Sequence, residues 1–116
     1  MLKRSVVVRL RDTLGAIDEA REFFERPDFD FFESNVMVQR AVERCIEIVS
    51  EASRHIPAEL TDQYPDIPWQ EMRAIGTVMR HEYQRVEDHV IWRTATKSFD
   101  PLRPIILELI ASLEQE

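Results

Sequence analysis

The sequence predicts an all-α protein: an antiparallel four-helix bundle with short extra helices, formed by residues 1–116 as one domain. Three observations lead there. Apolar residues recur at spacings of three, four and seven, the repeat of one helix face. Only two glycines, Gly15 and Gly76, occur in 116 residues, too few for the tight turns of an all-β fold. Prolines stand at the ends of periodic stretches, and the connections between those stretches are short, which favours antiparallel neighbours.

From the N-terminus, residues 5–25 read as a first helix, with Val7, Leu10, Leu14, Ile17 and Phe24 on its inner face and Pro27 as its stop. Asp28 is placed to cap the second helix. Residues 29–55 read as that second, long helix with the stripe Phe32, Val36, Val42, Cys45, Ile46, Val49 and Ala52, the FDFF segment being its first turn or a turn of its own. The stretch PAELTDQYPDIP, with three prolines, predicts a connector holding one short helical turn. Residues 69–86 form the third main helix, and 88–97 a short one after a bend. Asp100 or Pro101 starts the last helix, whose apolar face is Ile105, Ile106, Leu109, Ile110 and Leu113.

Composition narrows the function classes. Fifteen basic residues against twenty-two acidic give a net charge of −7, so the whole-chain field repels nucleic acid, and any RNA contact must come from a local basic patch. Cys45, the only cysteine, lies in the apolar run CIEIV and reads as a buried thiol. One unpaired cysteine fits a reducing cytoplasm, and no apolar stretch approaches the roughly 18 residues that a membrane span needs. A chain of this length with one modest core favours a homodimer.

The candidate site is the third main helix, WQEMRAIGTVMRHEYQRV. At about 100° per residue, Met72, Ile75, Met79, Tyr83 and Val86 make one face, the core stripe. Arg73, Thr77, Arg80, His81 and Gln84 fall on the other, with Arg85 at its edge. A histidine titrating near neutrality can move a proton, and an arginine can hold phosphate in a fixed fork and stabilise developing charge. Together these suffice for RNA cleavage without metal or other cofactor, the histidine assisting attack of a 2′-hydroxyl on its own phosphate. The same residues also suit a plain solvated helix face. HEYQR is not HExxH, and no Glu-x-x-His pair or glycine-rich phosphate loop occurs.

Pro68-Trp69, then His81-Glu82-Tyr83, then Val90-Ile91-Trp92, resembles the HepT-like proteins of the HEPN superfamily. The stretches LRDTLGAIDEAREFF, QRAVERCIEIVSEASRHIP and PAELTDQYPDIPW agree, so the resemblance covers roughly residues 9–113. It implies a dimerising helical bundle and a metal-independent ribonuclease, the toxin of a toxin–antitoxin pair. The implied partner is an MNT-type nucleotidyltransferase antitoxin, which in some pairs adds AMP to the tyrosine of the His-x-Tyr motif, here Tyr83. His81 is the implied catalytic histidine.

One position departs from the family pattern. The nuclease motif carries an arginine four to six residues before the histidine, and here that window, which includes Gly76 and Thr77, holds none. Apart from the adjacent Arg80, the nearest upstream arginine is Arg73, eight residues or about 12 Å of helix axis away. The departure allows two readings. In one, Arg73 and Arg80 serve as the phosphate-binding arginines. In the other, cleavage is lost and the helix binds a nucleotide or the transferase partner, in which case Gly76→Arg restores the motif.

Overall fold

The computed structural model describes residues 2–23, 28–81 and 87–115, the side chains of Leu2, Arg80 and His81 excepted. Every regular element among them is helical. Helix α1 (Leu2–Glu22) buries Val6, Leu10, Thr13, Ile17 and Ala20 at i, i+3 and i+4 spacing. Leu10 and Ile17 lie in the core as the pattern requires, while Val7 and Leu14 flank it half-buried. The stripe is turned by one position because Thr13 is buried, its hydroxyl satisfied by donating to Arg9 O at 2.9 Å.

Of the two readings of residues 29–55, the one with FDFF as a turn of its own holds: the segment is α2 (Phe29–Ser34), followed by α3 (Val36–Ser53). Asp28 caps α2, its carboxylate accepting from Asp30 N–H at 3.0 Å. The break falls at Asn35, whose backbone is extended and whose side chain accepts from Val38 N–H. Buried Gln39 seals the junction: its Nε2 donates to Phe32 O and Glu33 O at 2.9 and 2.8 Å, satisfying carbonyls at the end of α2. The kink turns Val36 outward, so this expected core residue is 59% exposed. Val42, Cys45, Ile46, Val49 and Ala52 are buried as their spacing predicts.

The connector holds one turn, α4 (Ala58–Thr61), and then leads into α5 (Trp69–His81). Trp69 anchors α5, 8% exposed, with Nε1 donating to Tyr64 O at 3.0 Å. Helix α6 (Asp88–Arg93) does not stop before the last helix. It runs through a π turn (Thr94–Ser98) directly into α7 (Phe99–Glu114). A regular α turn would drive the ring of Pro101 into the carbonyl of Lys97. The wider turn opens the ladder there, and Phe99 N–H reaches back five residues to Thr94 O. Helix α7 thus begins at Phe99, one residue before the expected start at Asp100, and follows the π turn without a break.

Helix α1 packs between α3 and α7, and α3 packs on α5. The pairs Arg11–Glu114, Asp18–Arg103 and Arg21–Asp100 set α1 antiparallel to α7. Contacts of Arg54 with Arg73 and of Ser50 with Gly76 set α3 antiparallel to α5. The core runs through the middle of this bundle, from Leu10 and Ile17 across Val42, Ile46 and Val49 to Ile91, Phe99, Leu102 and Ile106. No helix of the described residues is long and apolar enough to cross a membrane.

Candidate nucleic-acid site

The α3–α5 crossing is built from small polar residues. Gly76 lies directly against Ser50: a Cβ at this glycine would stand 2.5 Å from Ser50 Oγ and 2.7 Å from Ser50 Cβ. The serine hydroxyl uses the gap twice, accepting from Gly76 N–H at 3.1 Å and donating to Arg73 O at 3.0 Å. One turn on, Ser53 Oγ donates to Ser50 O at 2.7 Å. The glycine at the motif position therefore has a packing cause: it lets two helix backbones approach. An arginine there would drive its Cβ into Ser50, so Gly76→Arg does not simply restore the motif.

Two arginines converge on this crossing. Arg73, half-buried on α5, sends its guanidinium back to the end of α3, with Nε donating to Ser53 O at 3.3 Å and Nη2 to Thr61 Oγ1 at 3.5 Å. Arg54, the residue after α3, crosses the other way. Its Nε donates to Arg73 O at 3.2 Å and its Nη2 to Thr77 Oγ1. Among the described residues neither guanidinium meets a carboxylate, although the chain carries twenty-two acids. Other arginines are paired, Arg11 with Glu114, Arg40 with Glu43, Arg44 with Glu47 and Arg103 with Asp18. Carbonyls at the C-terminal end of α3, the negative end of its dipole, offset the repulsion between the two cations.

Of the residues singled out in the sequence, the structure brings Arg73 and Thr77 together around Arg54. The helix backbone continues to His81, the last residue of α5, one turn beyond Thr77. The side chains of Arg80 and His81, and residues Tyr83 and Gln84 entirely, lie outside the described residues. Sequence reasoning missed Arg54, Ser50 and Ser53. Their signal is a run of small residues ending in a cation, SEASR, opposite the glycine of the next helix.

Cys45 is buried at 2% exposure between α3 and α1, and burial, with Glu19 nearby, pushes its thiol up to about 11. His55 meets Glu51 one turn earlier at 3.3 Å, an exposed pair at the end of α3.

Known proteins share this sequence pattern along most of its length. Residues 13–109 match the family described as Ribonuclease HepT-like. A protein of Methanocaldococcus jannaschii that carries a provisional RNase name is 29% identical over 116 residues, the full length of both chains. A second from that organism, provisionally named in the same way, is 33% identical over 93 residues, covering 80% of this chain and 85% of the relative. A protein of Thermococcus cleftensis provisionally named ribonuclease HepT is 34% identical over 102 residues, covering 88% of this chain and 93% of its own. No solved structure matches. An all-helical bundle, the match over 97 of 116 residues and these identities make the chain a member of the ribonuclease HepT-like family of the HEPN superfamily.

Proposed function

We propose that this chain is a metal-independent endoribonuclease acting as the toxin of a toxin–antitoxin pair. The observation that carries the reading is the family match across residues 13–109, a span that includes the His81-Glu82-Tyr83 motif. His81 takes the proton of a ribose 2′-hydroxyl as its oxygen attacks the adjacent phosphorus. The new 2′-O–P bond replaces the P–O5′ bond, leaving a 2′,3′-cyclic phosphate, and the departing 5′-oxygen takes a proton from solvent. Arg80 holds the phosphate oxygens, and Arg73, its guanidinium engaged by Ser53 O and Thr61 Oγ1, adds its charge to the field that stabilises them. Thr77 and Gln84 contact the substrate on the same face. Tyr83 contacts substrate or receives AMP from an MNT-type nucleotidyltransferase antitoxin. The active unit is a homodimer in the cytoplasm.

A second reading has an observation of its own. Gly76 stands at the motif arginine's position and is closed by Ser50, which suits a bundle that binds a nucleotide or the transferase without cutting RNA. One experiment separates the two. Purified chain and His81→Ala are incubated with RNA in excess EDTA. Cleavage by the parent and none by the variant is the expected result. Cleavage retained by His81→Ala overturns the assignment of the histidine, and an inert, folded parent leaves the binding module.

A further inference from the structure

We infer that Arg54 is a phosphate-binding residue of this site and supplies, from the C-terminal end of α3, a guanidinium beside the turn of α5 where Gly76 stands in place of the motif arginine. The inference rests on the ribonuclease reading for its substrate class, an RNA backbone. Position carries the argument. On α5 itself Arg73 is eight residues before His81, about 12 Å of rise, and its guanidinium is drawn the other way, to Ser53 O and Thr61 Oγ1. The Arg54 guanidinium sits instead on Thr77 Oγ1, one turn or about 6 Å of rise before His81.

Its chemistry fits the role. Arg54 is exposed, and its bonds to Arg73 O and Thr77 Oγ1 fix the plane of the fork through Nε and Nη2. Both N–H groups on Nη1 remain without a partner among the described residues. A planar, pre-oriented guanidinium that has free donors and meets no carboxylate among the described residues is suited to bidentate capture of a phosphate. With Arg73 bonded to the same α3 end, it forms a two-cation patch on a chain of net charge −7. Such a patch is the local exception that an acidic protein needs to hold RNA. The close approach of α3 and α5 at Gly76 and Ser50 brings Arg54 within reach, so the glycine that removes one arginine admits another.

The test reads binding apart from cleavage. A short 2′-O-methyl oligoribonucleotide, which lacks the attacking hydroxyl, is titrated by fluorescence anisotropy against the full chain, Arg54→Gln, Arg54→Lys and the remote control Arg11→Gln. Arg54→Gln is expected to weaken binding about tenfold and to lower the salt slope by about 0.7. Arg54→Lys, which keeps the charge but not the fork, falls between, and Arg11→Gln matches the parent. Melting curves verify that each variant is folded. Binding by Arg54→Gln within twofold of the parent overturns the assignment whether or not the parent cuts RNA, and so does a parent that does not bind at low salt. The EDTA cleavage assay on His81→Ala separately decides the ribonuclease reading.

Discussion

Gly76 and Ser50 are in direct contact where α5 crosses α3: the glycine N–H donates to the serine hydroxyl at 3.1 Å, and there is no room for a Cβ between them. Rotating the hydroxyl relieves only part of the crowding, because Ser50 Cβ itself would lie 2.7 Å from the added atom. In an open helix Gly→Ala stabilises by about 1 kcal/mol. Here overpacking of roughly 1–3 kcal/mol opposes it. Gly76→Ala is therefore expected to destabilise the chain in urea by up to about 2 kcal/mol. In a Ser50→Gly background the sign should reverse, since both clashing atoms are gone. The same loss in both backgrounds would place the cost elsewhere.

Much of this fold is legible in the sequence because its signals are local. The 3.6-residue period places α1, α3, α5 and α7, and the proline-rich connector carries its single turn at Ala58–Thr61. The misses are tertiary. Whether FDFF is a turn of its own stays open in the sequence, and it is Gln39, folded back on the carbonyls of Phe32 and Glu33, that decides the break at Asn35. Pro101 falls in the first turn of α7, as expected of a helix start, but the sequence does not show that a widened turn joins α7 directly to α6. At the site, a helical wheel sets Arg73 beside Arg80 on an open face. The structure sends Arg73 to α3 and brings Arg54 to Thr77 across 23 residues of sequence, a relation that no periodicity encodes.

Cys45 makes stability depend on pH in a defined window. Burial is the main reason that its thiol ionises near 11 rather than 9.0. The unfolded chain loses the proton first, so the folded state binds more protons between these values. Stability is fully present below pH 9 and falls as pH rises toward 11, by about 2–3 kcal/mol for this group. Urea midpoints at pH 8, 9, 10 and 11 test this against Cys45→Ala, in which the cysteine-dependent part of the fall should vanish. Native alkylation by iodoacetamide should likewise be slow at pH 8 and rapid in urea.

Gln39 fixes the angle between α2 and α3 while being only 4% exposed. Replacing it by leucine removes two hydrogen bonds; Phe32 O keeps the Asn35 N–H, but Glu33 O loses the donor that Gln39 supplies. A loss of roughly 1–3 kcal/mol is expected. The consequence should be concentrated in α2, where Phe29 and Phe32 pack on Trp92 at ring separations of 5.8 and 5.6 Å. Faster amide exchange in residues 29–34 and a red shift of tryptophan emission would show α2 loosening. Unchanged exchange there, with the same global loss, would mean that Gln39 acts through the core rather than the junction.

The two arginines at the crossing should separate in their effect on stability. Arg73 is half-buried and ties α5 to the last turn of α3 through Ser53 O and to α4 through Thr61 Oγ1. Hydrogen bonds from a charged donor to such groups contribute about 1–2 kcal/mol when geometry is moderate. Arg54 is exposed, and its bonds reach across solvent-facing surface, where a single contact contributes less, within about 0.5 kcal/mol. Arg73→Gln is therefore expected to lower the urea midpoint clearly and to speed amide exchange at residues 50–53, whereas Arg54→Gln changes neither. That pattern lets a binding defect in Arg54→Gln be read as lost phosphate contact, not lost structure. The opposite order, with Arg54→Gln the more destabilising, would make Arg54 the brace between the helices and move its role from the ligand to the scaffold.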